Sequence, residues 1–171
     1  MRLKIKNKRG DIPSLIISLI VILFVVGIVS LFFSKIFLAI TGELKAMPDF
    51  SNTTKDNLTF VEGKTIPFLD YAFFFSFIAI AIGLIISSIY IDVHPAIAII
   101  FIIILIVAVV LAGIFANAFV TIGEDSELSS TYEQFTLTKI IITHFPLLVF
   151  IIGLIVVIVL YGKGSSGSGG I

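Results

Sequence analysis

The sequence predicts an all-α integral membrane protein with four transmembrane helices, antiparallel, joined by two short outer loops. Three observations carry this. Hydrophobic residues make up 58% of the 171-residue chain and its mean hydropathy is +1.22, far from a soluble composition. Four apolar stretches each run to about twenty residues, the length at which an α-helix crosses roughly 30 Å of hydrocarbon. Five of the eleven basic side chains, Arg2, Lys4, Lys6, Lys8 and Arg9, crowd the first nine residues, which marks the cytoplasmic flank of a first span.

Residues 1–12 form a basic inner segment suited to anionic head groups. Asp11 ahead of Ile12-Pro13 is a sound helix start, because the carboxylate meets free N–H groups and proline is tolerated in the first turn. Residues 13–40 then read as the first span. Lys35 lies near its outer end, where its stem can snorkel, and Gly27, Ser30 and Ser34 share one face. The apolar core is longer than that of a secretory signal and no small-x-small cleavage site follows closely, so a retained anchor is expected.

Residues 41–70 read as an outer loop, slightly acidic, with Asn52-Thr53-Thr54 and Asn57-Leu58-Thr59 matching the N-glycosylation pattern at Asn52 and Asn57. The central stretch, residues 71–118, organises the chain. It holds two spans, 71–91 and 96–116, around an inner turn at 92–95, and so short a turn predicts that the second helix returns beside the first. Small residues recur at helical spacing on both: Ser76, Ala79, Gly83 and Ser87 on one, Ala108, Ala112 and Ala116 on the other. Helices in lipid gain little from hydrophobicity when they associate, so these stripes are candidate packing faces, within the hairpin or against another subunit.

Residues 117–139 read as a second outer loop. Leu128, Tyr132 and Phe135 at helical spacing, with Ser126 as a cap, predict a short amphipathic helix on the membrane surface or in an assembly contact. The fourth span is 140–161, with Pro146 in its first turns, and 162–171 is a flexible Gly/Ser tail. Both termini are expected on the cytoplasmic side.

Chemistry-bearing motifs are scarce. Cysteine is absent, so no thiolate site or disulfide can form. His94 and His144, the two histidines, fall at opposite ends of the predicted bundle and cannot share a site within one chain. No catalytic, cofactor-binding or metal-ligating set is expected, nor a nucleic-acid partner or small-molecule substrate. No ionisable residue falls near the middle of a predicted span, which argues against a pump or coupled transporter.

Two resemblances add to this. Lys8-Arg9-Gly10-Asp11-Ile12 before a long apolar helix resembles the processing site of archaeal type IV pilin-like precursors. NKRGDIPSLI, TIPFLDY, DVHP, QFTLTKIIITHFPL and YGKGS together resemble, in pattern, small four-span membrane proteins of unassigned activity from archaea and prokaryotic viruses. That resemblance implies a non-catalytic structural role, as a homo-oligomer or beside other membrane or capsid proteins in a virion membrane or cell envelope. The alternatives are a pore or holin-like channel and an accessory subunit of a membrane enzyme.

Overall fold

The computed structural model describes the backbone of residues 12–90 and 95–166 and the side chains of residues 16–90 and 99–162. Every element among them is helical: α1 (Ile12–Ala46), α2 (Asn52–Tyr90), α3 (Pro95–Gly123), α4 (Ser129–Tyr132), α5 (Thr136–Thr143) and α6 (Phe145–Ser166). Four of these, α1, α2, α3 and α6, are long and apolar enough to cross a membrane. The basic segment, Asp11 and the residues 92–94 of the inner turn lie outside the described residues, as does 167–171.

The four long helices pack as a square. α1 lies against α2 and α3, and α6 against α2 and α3, whereas α2 and α3 hardly touch. This corrects the expected central hairpin, in which spans 71–91 and 96–116 were to be neighbours. The physical reason is reach: five Cα steps extend to about 17 Å, while the diagonal of a square with sides of 8–10 Å is only about 13 Å. A short link therefore permits the diagonal as readily as the edge, and packing decides.

Packing favours the edge between α3 and α6, the most extensive in the bundle. Ala108, Ala112 and Ala116 are buried there in the core, so one predicted small-residue stripe is consumed inside the chain. Gly153 on α6 completes the approach: a Cβ at that position would stand 2.1 Å from Leu105 Cδ1. In an apolar solvent such closeness supplies the dispersion contacts that hydrophobicity does not. Gly27 on α1 serves the same purpose, beside Ile142, Phe119 and Phe73. The aromatic run opening the second span divides by face, with Phe73 and Phe77 in the core and Phe68 and Phe75 outward.

The expected outer loop 41–70 is almost wholly helical, and only 47–51 separates α1 from α2. Ser51 starts α2 early by accepting the Thr54 N–H through its hydroxyl at 3.3 Å, the N-cap arrangement. Farther along, Glu62 joins the two helices: it accepts from Thr41 Oγ1 at 3.0 Å and pairs with Lys45. Polar composition and two sequons suggested a loop; a cap and an interhelical pair stabilise helix instead. Pro67 consequently sits inside α2 rather than in a loop.

The second expected loop, 117–139, is also corrected. α3 continues to Gly123, and α4 and α5 fold inward rather than lying on a surface. Leu128, Tyr132 and Phe135 are all buried, with the Tyr132 ring centroid 5.7 Å from that of Phe119. Ser126 supplies no cap; Leu128 occupies the N-cap position of α4 without a side-chain bond. The predicted span 140–161 is broken at His144, where α5 ends and α6 begins, because Pro146 has no N–H to continue α5's hydrogen bonding. At the other end α6 runs on to Ser166, through residues expected to be tail.

Candidate functional site

The polar centre of the molecule is Asp70. The short helix α5 begins with Phe135 at its N-cap, a residue with no side-chain acceptor, so its first N–H groups need a partner from elsewhere. Asp70, on α2, provides it: Oδ2 accepts from Leu137 N–H at 3.0 Å and Oδ1 from Thr138 N–H at 2.7 Å. Asp70 is 6% exposed, and both its carboxylate oxygens are engaged. A negative charge at a helix N-terminus is favoured by the macrodipole as well as by the two bonds. Asp70 is thus a long-range cap that anchors the α4–α5 segment to α2.

Sequence reading leaves Asp70 as the last residue of the expected outer loop 41–70, with no role of its own. Its partners lie 67 and 68 positions downstream, beyond any local pattern. One clue existed: an acidic residue immediately before the aromatic start of a long apolar run is expensive near lipid unless something pairs with it.

Other buried polar side chains are hydroxyls. Ser34, Thr131 and Thr138 have fully buried side-chain oxygens with no protein partner, whereas Ser88 donates to the Ile85 carbonyl at 2.6 Å. Lys139 pairs with Glu133 and stands 4.9 Å from the Tyr132 ring centroid. Hydrogen bonding to Glu133 holds the Lys139 ammonium above its usual pKa, while burial raises that of the Tyr132 hydroxyl.

The candidate packing residues separate into two environments. Ala108, Ala112 and Ala116 are core, but Ser76, Ala79, Gly83 and Ser87 all face outward, and nothing lies within 4 Å of a Cβ placed on Gly83. Asn52 and Asn57 are exposed at the start of α2. His144 is exposed between α5 and α6, its Nδ1 2.9 Å from the Ile140 carbonyl oxygen; His94 lies outside the described residues. Among the described residues, no three His, Asp or Glu side chains gather as a metal site would require. No family model, curated protein or solved structure matches the chain.

Proposed function

We propose that this is a four-pass membrane protein with a structural role, an oligomeric component of a cell-envelope or virion membrane assembly, which binds lipid and copies of itself or other membrane or capsid proteins. The observation that carries this reading is how its buried carboxylate is used. Asp70 is fully committed to capping α5, a bond of the fold itself, and the apolar sides of α1, α2, α3 and α6 are turned outward.

In this reading the helices pass up, down, up and down, with both termini on the cytoplasmic side or virion interior. The levels of contact support it. Thr41 meets Glu62 and Gly27 lies by Phe73, so α1 and α2 run in opposite directions. Leu105 meets Gly153 and Gly113 lies by Pro146, so α3 and α6 do likewise. Tyr71 and Tyr90, both exposed, are 19 residues apart on α2, a rise of about 28 Å, and belong at the two head-group levels.

Ser76 and Ser87 on the outward face of α2 favour a second reading, in which several copies line a pore with hydroxyls. Purified protein in liposomes separates the two. A scaffold leaves an entrapped dye retained at protein densities where copies associate; dye release at low protein-to-lipid ratio overturns the structural reading in favour of the pore. Mass spectrometry of material extracted gently from the native source tests the assembly directly, since a defined enzyme complex there would make the chain an accessory subunit.

A further inference from the structure

We propose that Asn52 is a site of N-linked glycosylation, with Asn57 modified to a lesser extent, and that the donor is a lipid-linked oligosaccharide on the outer side of the membrane. The inference rests on the topology proposed above, which puts the tip joining α1 to α2 outside, and gives that tip a covalent modification.

Charge keeps the tip out of hydrocarbon. From Glu43 to Lys64 the chain carries four acidic and three basic side chains, whereas α1 before Glu43 carries only Lys35. Each such group is costly among lipid tails, so this stretch meets water or head groups. The five bases of residues 1–9 precede the other end of α1, and their crowding assigns that end to the inside and the tip to the outside.

Both acceptor triplets are presented on the tip. Asn52, the first residue of α2, is exposed, and so is Asn57. They are not equivalent. A transferase reads the asparagine amide together with the hydroxyl two residues on, which demands chain released from regular structure. Asn52-Thr53-Thr54 follows the non-helical link 47–51 and lies in the first turn of α2, whose N–H groups have no acceptor within the helix. Releasing it frays that one turn and the Ser51 cap, in which Ser51 Oγ stands 3.3 Å from the Thr54 amide and 3.0 Å from Thr54 Oγ1. Asn57-Leu58-Thr59 begins farther inside the helix, and the Thr59 hydroxyl donates to the Lys55 carbonyl at 2.9 Å. Its release unwinds a second turn as well.

In the transfer, Asn52 Nδ2 bonds to the anomeric carbon of the first sugar. The bond from that carbon to the lipid phosphate breaks, the phosphate oxygen leaves with the electron pair, and one Nδ2 proton passes to a carboxylate of the transferase.

Trypsin separates the two sites, because Lys45, Lys55 and Lys64 bound the peptides 46–55 and 56–64. Mass spectrometry of the full-length protein from its native membranes should find sugar mass increments on 46–55 in about fivefold larger fraction than on 56–64, since one turn frays more readily than two. Asn52→Gln and Thr54→Ala, expressed in the same host, should each remove the increment from 46–55, and Thr54→Ser should retain it. The cysteine-free chain lets topology be read separately, by labelling Met47→Cys on intact cells with a membrane-impermeant thiol reagent. Labelling with both peptides unmodified overturns glycosylation and leaves the topology standing. Labelling only after the cells are permeabilised places the tip inside and overturns both. Modification of 56–64 in excess of 46–55 overturns the assignment to Asn52.

Discussion

The Asp70 carboxylate reaches from α2 to the Thr138 amide at 2.7 Å and so caps a helix that begins 66 residues farther along the chain. Asp70→Ala leaves two buried amide N–H groups without partners, at a cost of about 1–3 kcal/mol each. Asp70→Asn keeps one carbonyl oxygen and loses the charge, so it should cost less. Thermal unfolding in detergent gives the order wild type, Asn, Ala, and hydrogen exchange should accelerate first at Leu137 and Thr138. Equal stability of the alanine variant and wild type would show that the cap is dispensable.

That bond also marks the boundary of what the sequence discloses. Four helices long and apolar enough to cross a membrane were legible because hydrophobic length is a local property; α1, α2 and α3 contain the first three predicted spans nearly whole, and α6 holds the fourth from Phe145 onward. Residues 41–46 and 52–70 were misread as loop because polar composition suits a solvated helix as well as a coil; the cap at Ser51 was the local signal available. The neighbour relation of α2 and α3 was not legible, since a short link fixes reach without choosing a partner. Gly153 shows what chose: its missing side chain admits Leu105, a contact between residues 48 apart.

Gly153→Ala should therefore be costly. Its Cβ would fall 2.1 Å from Leu105 Cδ1 and 3.1 Å from Cγ, so that the whole leucine side chain must move. Overpacking of this kind costs about 1–3 kcal/mol. The double variant with Leu105→Ala removes the obstructing atoms and should recover part of the loss, giving a favourable coupling energy in a double-mutant cycle. Strict additivity of the two single changes would argue that the helices do not meet there.

The buried hydroxyl of Thr131 offers the opposite sign. It has no protein partner, and a desolvated hydroxyl without one opposes folding by about 1–3 kcal/mol. Thr131→Val keeps the shape and removes the polar atom, so unfolding should move to higher temperature by a few degrees. A lower unfolding temperature would assign the hydroxyl a bond in the working protein.

Alkaline pH should loosen the α4 segment through Tyr132. Burial raises this hydroxyl's pKa above its ordinary value near 10. The folded state therefore holds the phenolic proton more tightly than the unfolded state. Stability is unaffected below the unfolded pKa and falls as pH rises from there through the folded value. The chain has four tyrosines and no tryptophan, which leaves tyrosinate absorbance free of indole overlap. Tyr132→Phe should remove a late-titrating component and flatten the alkaline loss of stability; an unchanged titration would place the ring in solvent.

The two small-residue stripes make a final contrast, because one chain uses only one of them. Ala112 is wholly buried, so Ala112→Leu inserts three carbons into the bundle and should lower unfolding stability by about 1–3 kcal/mol or prevent folding. Gly83 faces outward with nothing within 4 Å of a Cβ, so Gly83→Leu has room within the chain, and its replacement of glycine in a helix is itself favourable. The folded monomer should thus tolerate Gly83→Leu. If copies meet on this outward stripe, a bulky side chain there would hold the backbones apart, and the predicted outcome is an unchanged helical signal with a reduced fraction of oligomer. Loss of folding on Gly83→Leu would mean that the stripe packs inside the bundle after all, and a full oligomer fraction would mean that copies meet on some face other than α2.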